Sequence, residues 1–363
     1  EIFTLTINET EGWFSIEPKD AKFPRIMHAY PGARYSFGDR RFNPKLTGWQ
    51  ENPGSRQVME FGAHGKAEMI EYQVKTTEGL LLTLHFGIVL EKPLVVWKII
   101  VCNESAQPVR LQRIDLLKVK ESAGGIVTYP EATRLSELGF YSNGWQSWSP
   151  SGWHAGDGKM PISKLGGLQN PMICNPGTPR MKKKGQFSSD MFAVIGDRKA
   201  RTGFVAGFLS KKEQFGTIAA DLNHPRWLAM WANCDDTRLD PGKTMNSDWA
   251  VFTPILLDHR EPLEMYLEAV AIENNVNVPA ESPVGWCSWY HFYTRLSETD
   301  VRANLQSILE KQETLPIQLV QIDDGFESQI GDWFSFKPEF PNGVKPLAEE
   351  ISREGLLPGL WLA

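Results

Sequence analysis

The chain has 363 residues, of which 41% are hydrophobic and 23% are charged, and its formal net charge is −6. Such a composition is typical of a globular protein, and the length suits one large domain or two to three smaller ones. The negative charge argues against nucleic acid or an anionic membrane as a partner, and no segment approaches the ~18 apolar residues that a membrane-spanning helix requires.

Residues 1–258 are expected to form a large antiparallel β domain. Runs rich in β-branched and aromatic residues, among them Leu80 to Phe86, Val95 to Val101 and Phe204 to Leu209, are separated by turn residues. Part of each run alternates between apolar and polar residues, and no long segment has helical periodicity. The pattern predicts a β-sandwich in this part of the chain.

One stretch of the β region, Phe140 to Trp153, has the Gly, Ser, Asn and Pro content of a loop. It nevertheless contains three of the 13 tryptophans of the chain. Two interpretations stay open from the residues alone. The tryptophans either fill a crevice between domains or form an aromatic lid over a ligand site on a neighbouring domain.

Residues 259–282 are expected to form a helical linker. One face of a helix carries Leu263, Leu267, Val270 and Ala271. The helix is expected to end before Pro279. Beyond this linker the sequence pattern changes.

Residues 283–363 are expected to alternate strands and helices. The strand candidates are residues 284–290, 317–322 and 357–363, and Ser297 to Asp300 has the pattern of a capping box at the start of the first helix. The β-α-β-α-β order is typical of a parallel sheet. No Gly-rich phosphate loop follows the first strand, which argues against a Rossmann or P-loop domain. The pattern fits the first three strands of a (β/α)8 TIM barrel.

Two adjacent carboxylates, Asp323 and Asp324, follow the second of these strands. Ligands bind where parallel strands end at their carboxyl side, so the pair is a candidate site. The alternative is a simple turn with Gly325, in which an Asp side chain bonds to its own backbone.

Aromatic residues accompany the other two strands. Trp289 and Tyr290 end the first strand candidate, and Trp361 lies on the third. Carboxylates accept hydrogen bonds from neighbouring hydroxyls, while an aromatic face covers the apolar side of a sugar ring. The combination predicts carbohydrate binding, although Trp289 and Tyr290 are equally suited to core packing.

Cysteines and histidines have no metal-binding or redox spacing. Cys102, Cys174, Cys234 and Cys287 are far apart, and the seven histidines are scattered. We therefore expect free thiols in a reducing compartment, which favours a cytoplasmic protein, and no metal site.

The C-terminal motifs resemble those of the α-galactosidases of glycoside hydrolase family 36. The loop around Trp145 to Trp148 also resembles the loop that their N-terminal β-supersandwich sends toward the barrel. The resemblance covers residues 283–363 and this loop, and the rest of the β domain agrees in style only. The matching stretches are Gly285 to His291, Gln321 to Gly325, Gly331 to Trp333, Phe340 to Gly343 and Pro358 to Ala363.

The resemblance implies that Asp323 and Asp324 bind the galactose 4- and 6-hydroxyls and that Trp361 and Tyr290 line the same subsite. It implies no cofactor and no metal. The implied partner is an α-galactoside oligosaccharide, bound by a monomer or by a homo-oligomer.

Two further tryptophans take roles from the resemblance. Trp148 would close over the sugar from the β domain. Trp289 would either contact the sugar or support the strand that precedes it.

The family is of the retaining type, in which one Asp is the nucleophile and another is the acid/base. In the family the nucleophile follows barrel strand four, whereas this chain stops at Ala363 on the third. We therefore expect both catalytic residues beyond residue 363 and none in this chain.

The leading hypothesis is the N-terminal portion of a retaining α-galactosidase that hydrolyses terminal α-D-galactosyl groups of oligosaccharides. One alternative is an α-N-acetylgalactosaminidase or a galactosyl transferase of the raffinose-synthase type on the same fold. The other is a carbohydrate-binding fragment without catalytic activity.

Overall fold

The computed structural model describes residues 2–146, 149–161, 175–278 and 281–362. The chain forms two compact units, residues 1–276 and 277–363. The domain boundaries expected from the sequence, at 258 and 283, stay predictions. None of the helices in the described ranges is long and apolar enough to cross a membrane.

The first unit is built almost entirely of β-strands. Its strands up to residue 128 are β1 (Phe3–Asn8), β2 (Trp13–Pro18), β3 (Arg25–Ala29), β4 (Gly32–Phe37), β5 (Arg40–Phe42), β6 (Gln50–Glu51), β7 (Gln57–Glu60), β8 (Lys66–Lys75), β9 (Leu80–Val89), β10 (Val95–Asn103), β11 (Val109–Lys120) and β12 (Ile126–Thr128). The following strands are β13 (Leu138–Ser142), β14 (Gly152–Ala155), β15 (Gln186–Asp190), β16 (Phe192–Asp197), β17 (Thr202–Phe208), β18 (Gly216–Asp221), β19 (Trp227–Leu239), β20 (Thr244–Asn246) and β21 (Ala250–Leu256).

These strands form three antiparallel sheets. A four-stranded sheet has the order β1-β2-β3-β12, and a six-stranded sheet has the order β15-β18-β19-β11-β4-β5. An eleven-stranded sheet follows the path β14-β13-β16-β17-β21-β10-β9-β8-β6, with β20 added at β10 and β7 at β8. The mostly antiparallel β architecture expected from the alternating runs is confirmed.

One apolar core joins the three sheets. The ring of Phe14 in β2 lies 5.0 Å from that of Phe86 in β9 and 5.7 Å from that of Trp97 in β10. The indole N–H of the buried Trp97 donates to the carbonyl of Leu116 in β11 at 3.0 Å. Aromatic burial and this buried hydrogen bond tie the layers together.

Helix α1 (Glu264–Glu273) packs on the first unit. The helix itself is confirmed, and Leu263 and Val270 of the predicted face pack against the core. Leu267 does not, since it is 53% exposed while Tyr266 and Ala269 are buried. The reason is the Tyr266 side chain, whose hydroxyl donates to the Phe208 carbonyl at 2.8 Å. A buried Tyr needs such a partner, and this contact sets the rotation of the helix.

In its described residues the second unit has a small parallel sheet and three α-helices. Its elements are β22 (Gly285–Cys287), α2 (Trp289–Phe292), α3 (Glu298–Glu310), β23 (Leu319–Ile322), α4 (Lys345–Arg353) and β24 (Leu357–Leu360). The sheet order is β22-β23-β24, with both pairs parallel. The expected alternation of strands and helices is confirmed.

Helix α3 begins at the predicted capping box. The Ser297 hydroxyl accepts the backbone N–H of Asp300 at 3.2 Å, and the Asp300 carboxylate accepts the backbone N–H of Ser297 at 3.0 Å. Two backbone donors at the helix start are thus satisfied reciprocally. The buried side chains Val301, Leu305 and Ile308 then face the sheet cores of this unit.

Candidate functional site

The carboxyl ends of the three parallel strands meet at one edge of the sheet. Cys287 of β22 pairs with Gln321 of β23, and Ile322 of β23 pairs with Leu360 of β24. The residues that follow each strand therefore begin at the same level. In parallel sheets this edge is where ligands bind.

Asp323, directly after β23, is held by its neighbours on both sides. Its side-chain Oδ2 accepts the Gln321 amide at 3.0 Å and the Cys287 thiol at 3.3 Å. Its backbone N–H donates to the Ser288 hydroxyl at 2.9 Å. Burial raises the pKa of the Cys287 thiol, which keeps this group protonated and able to donate. Asp323 is only 8% exposed, so its carboxylate has a set orientation.

The turn interpretation explains only part of these contacts. Asp323 Oδ1 does accept the neighbouring backbone N–H of Asp324 at 2.9 Å, as in a local turn. The bonds to Gln321 and Cys287 run along and across the sheet and are not turn contacts. The strand order, and not the Asp-Gly pattern alone, fixes this carboxylate.

Asp324 is crowded by other carboxylates. Burial raises its pKa, and the negative charges of Glu327 and Asp323 raise it further, while Lys337 partly offsets them. Its Oδ1 is buried and has no hydrogen-bond partner within the described ranges. A buried acceptor without a partner costs about 1–3 kcal/mol, so a hydroxyl donor at this position would be stabilising.

Glu327 joins the candidate site, although the sequence alone does not indicate it. It is buried, and its Oε2 accepts the backbone N–H of Gly325 at 3.3 Å. Gly325 has φ +116°, and a Cβ there would lie 2.9 Å from the Thr294 backbone. The glycine therefore permits a turn that returns Glu327 to the carboxylate pair. In the sequence Glu327 is only a third acidic residue shortly after the pair. Because it lies in a loop, its spacing from the pair follows no recognisable pattern.

The first strand ends earlier than expected, and the prediction that it reaches Trp289 and Tyr290 is wrong. β22 stops at Cys287, and both aromatic residues lie in α2. Ser288 is the cause: its N–H donates to the Gln321 carbonyl at 3.2 Å, and its own carbonyl accepts the N–H of Phe292 at 3.0 Å, which starts a helical turn.

The aromatic candidates have different surroundings. Tyr290 is 84% exposed and Trp361 is 49% exposed, so both have free ring surface. Trp289 is partly buried and packs edge-on against Tyr293 at 5.3 Å. The backbone N–H of Trp361 donates to the Ile322 carbonyl at 2.8 Å, which brings Trp361 to the position beside Asp323.

The structure thus gathers Asp323, Asp324 and Trp361 at one sheet edge, with Trp289 and Tyr290 in the turn after the neighbouring strand. Trp148 lies outside the described residues. Within the described ranges no three His, Cys, Asp or Glu side chains are grouped as metal ligands. Chemically, the edge offers buried acceptors and exposed aromatic surface, which suits a neutral ligand rich in hydroxyl groups.

Comparison of sequences shows α-galactosidases among the similar proteins, whereas no family model matches the chain. The chain is 32% identical over 82 residues to alpha-galactosidase 2 of Pediococcus pentosaceus, which covers 21% of this chain and 11% of that protein. It is 34% identical over 64 residues to alpha-galactosidase Mel36A of Lactobacillus acidophilus, covering 16% and 9%.

Comparison of structures extends the likeness over most of the chain. The α-galactosidase of Lactobacillus brevis has a TM-score of 0.58 at 15% identity, covering 92% of this chain and 44% of that one. The family 36 α-galactosidase AgaA of Geobacillus stearothermophilus has a TM-score of 0.54 at 15% identity, with 92% and 45% covered. The chain is related to the α-galactosidases of glycoside hydrolase family 36. It matches the N-terminal part of such chains and spans less than half of their length.

Proposed function

We propose that the full-length protein is a retaining α-galactosidase that hydrolyses terminal α-D-galactosyl groups of oligosaccharides. In this proposal residues 1–276 are the β-supersandwich and the parallel unit is the first three strands of a (β/α)8 barrel. The nucleophile and the acid/base belong to the part of the family fold that residues 1–363 do not cover, since this chain spans 44% of the Lactobacillus brevis α-galactosidase.

The observation that carries the proposal is the pair of carboxylates at the carboxyl edge of the parallel sheet. Asp323 is oriented by Gln321 and Cys287, and Asp324 presents a buried oxygen without a partner among the described residues. Sugar hydroxyls are donors that carboxylates accept through charge-assisted hydrogen bonds. We assign the galactose 4- and 6-hydroxyls to Asp323 and Asp324, each charge-assisted hydrogen bond contributing about 1.5–3 kcal/mol.

The aromatic residues complete the proposed subsite. The half-exposed ring of Trp361 covers the apolar face of the galactose, with Tyr290 beside it. Trp289 supports the turn through Tyr293.

Asp323 and Asp324 bind the sugar in this proposal and do not break the glycosidic bond. A retaining glycosidase places its two catalytic carboxyl groups about 5–5.5 Å apart on opposite sides of the scissile bond. Asp323 and Asp324 are instead consecutive residues directly after β23, and Asp323 Oδ1 accepts the Asp324 backbone N–H. Their role is to hold the ring so that catalytic groups from elsewhere meet the anomeric carbon.

The test is an assay of the full-length protein on 4-nitrophenyl α-galactoside, with the anomer first released identified by proton NMR. We expect turnover with retention of configuration, and Asp324→Asn should raise KM strongly. Raffinose and stachyose are the oligosaccharides to try next, since variants of AgaA were crystallised with them. Absence of turnover, or release of the inverted anomer, would contradict the proposal.

A second candidate is an α-N-acetylgalactosaminidase. The α-N-acetylgalactosaminidase NagBb of Bifidobacterium bifidum has the same fold over 99% of this chain, at 10% identity and a TM-score of 0.52. The 4- and 6-hydroxyls are common to both sugars, so the carboxylate pair serves either. Parallel assays on 4-nitrophenyl α-N-acetylgalactosaminide separate them through the ratio of kcat/KM.

A further inference from the structure

A groove of about 710 Å³ lies on the six-stranded sheet of the first unit. Alternate residues of β19 define its position: Leu228 and Met230 enter the main core, whereas Trp227, Ala229 and Trp231 line the groove. The groove is therefore on the sheet face that turns away from the core. All of its lining residues belong to the first unit, whereas the carboxylate pair belongs to the second.

The floor of this groove is apolar. Trp227 and Met181 are partly buried and pack with Ala229 and Trp231 in a small satellite cluster. Four residues along a strand span about 13 Å, so Trp227 and Trp231 are separated by roughly the length of a disaccharide. Trp231 is covered by the Arg113 guanidinium, which stacks 4.4 Å from its ring. Trp227 is the tryptophan of the pair with ring surface left for a ligand.

The walls are cationic. Arg113 pairs with Arg34 across β11 and β4 in an antiparallel register, and Lys120 pairs with Trp227 across β11 and β19. The strand β11 has register shifts at Leu111/Arg113 and Asp115/Leu117. These shifts interrupt the alternation of side chains and help bring odd- and even-numbered residues to the groove face. No Asp or Glu is among the described residues that line it, and its six cationic side chains are Arg34, Lys45, Arg113, Lys118, Lys120 and Arg226.

The centre of this cationic set is incompletely neutralised. The buried Asp115 pairs with Arg113 at 2.8 Å and with Lys118 at 3.2 Å. The positive charge of Arg34 acts on both of these cations, so three cations share one carboxylate. Burial lowers the pKa of Lys118 and of Arg113, an effect that Asp115 only partly offsets. Arg34 is exposed, and no ion pair to it is found among the described residues.

We propose that this groove binds an anionic oligosaccharide, with its phosphate or carboxylate group at Arg34, Arg113 and Lys118 and a sugar ring on Trp227. The cations supply charge-assisted hydrogen bonds to the anion, and the indole face covers the apolar side of a ring. Trp227 lies about 13 Å along the strand from Trp231, which Arg113 covers. This distance fits a ligand of at least two rings. The ligand class differs from that of the carboxylate pair, which suits neutral hydroxyl groups.

Calorimetry on the full-length protein tests the proposal, with trehalose 6-phosphate and digalacturonic acid as anionic probes and with trehalose and inorganic phosphate as controls. At least one anionic probe should bind more tightly than both controls. Arg34→Gln and Trp227→Ala should each weaken that binding by at least about tenfold, since each removes one of the two contacts. Higher ionic strength should weaken it as well.

The matched control is Lys243→Gln, which removes one exposed positive charge away from the groove lining and should leave binding unchanged. Arg34 is exposed, so its variant should fold, and an unchanged thermal transition checks this. Failure of both anionic probes to bind overturns the proposal. The proposal is also overturned if Arg34→Gln does not weaken binding of the anionic probes. It is likewise overturned if inorganic phosphate binds as tightly as these probes and Trp227→Ala has no effect on their binding.

Discussion

The carboxylate pair and the cationic groove both bring like charges close together, but the residues involved are arranged differently along the chain. At the parallel sheet, Asp323, Asp324 and Glu327 come together at the end of a single strand and its following loop. On the antiparallel sheet, Arg34, Arg113 and Lys118 come from two neighbouring strands and share a sheet face. A strand end concentrates residues close in sequence, whereas a sheet face gathers distant ones.

The two clusters also neutralise their charge differently. A buried counter-charge, Asp115, is not part of the groove lining but directly contacts two of the groove's cations, Arg113 and Lys118. For Asp324 the opposing charge is Lys337, which lowers its pKa less than burial and the neighbouring carboxylates raise it. Lys337 itself donates to the Thr294 carbonyl at 3.0 Å. Removing the counter-charge Asp115 should therefore lower the free energy of unfolding. Removing a member of the carboxylate cluster should instead weaken ligand binding.

Asp115→Ala should have the largest effect. It leaves Arg113 and Lys118 buried without a carboxylate, and breaking a buried ion pair in this way destabilises by about 3–5 kcal/mol. Urea unfolding of the full-length protein measures the loss. The control is Asp240→Ala, which removes an exposed partner of Arg238 and should cost less than about 1 kcal/mol. Equal losses in the two variants would show that Asp115 is not the central counter-charge.

Gly325→Ala should have the next effect, on both stability and sugar binding. The added Cβ meets the Thr294 backbone at 2.9 Å in a left-handed conformation, and the two strains together should cost about 3 kcal/mol. Gly331→Ala is the matched control, because its φ of +88° is also left-handed but the space around it is open. Its cost should be about 1 kcal/mol, and urea midpoints of the two variants give the difference.

The contrast between strand ends and sheet faces also explains what could be predicted from the sequence. Asp323 and Asp324 were found because they are adjacent and follow an apolar run, and the parallel strand order followed from the alternation of patterns. The groove was not found because Arg34 and Arg113 are 79 positions apart, and two bulges in β11 disturb the alternation that would have predicted their common face.

Hydrogen bonds of single residues account for the remaining errors. Trp289 and Tyr290 continue an apolar run, yet Ser288 redirects the chain through backbone bonds to Gln321 and Phe292. In α1 the Tyr266 side chain is buried and Leu267 is exposed, because the Tyr266 hydroxyl donates to the Phe208 carbonyl. No periodic pattern in the sequence predicts these contacts. Each depends on single polar atoms and on a partner in another part of the chain.

Asp324→Asn should change sugar binding more than stability. The amide keeps the shape but replaces a charged acceptor, so galactose affinity should fall by about 1.5–3 kcal/mol, or roughly 10- to 150-fold. Calorimetry with galactose on the full-length protein measures this. Asp332→Asn is the control, an exposed Asp of the following loop. If the two variants bind galactose equally, Asp324 does not contact the sugar.

The smallest effect concerns the pH dependence of stability. Burial and the neighbouring Glu327 and Asp323 raise the pKa of Asp324 above its ordinary value of 3.8, with Lys337 opposing them. The folded protein therefore holds this proton more tightly than the unfolded chain does. The resulting stabilisation is full below pH ~3.8 and is lost as the pH rises through the pKa of folded Asp324.

Asp324→Asn removes this proton and with it the dependence. In the full-length protein, the difference in urea midpoint between the variant and the wild type should grow in favour of the variant as the pH rises from about 4. The sign of this change with pH distinguishes Asp324 from a carboxylate that is stabilised by an ion pair. For such a carboxylate, substitution by Asn would cost more stability at the higher pH. A difference that stays constant with pH would show that the crowding by Glu327 and Asp323 does not change the protonation of Asp324.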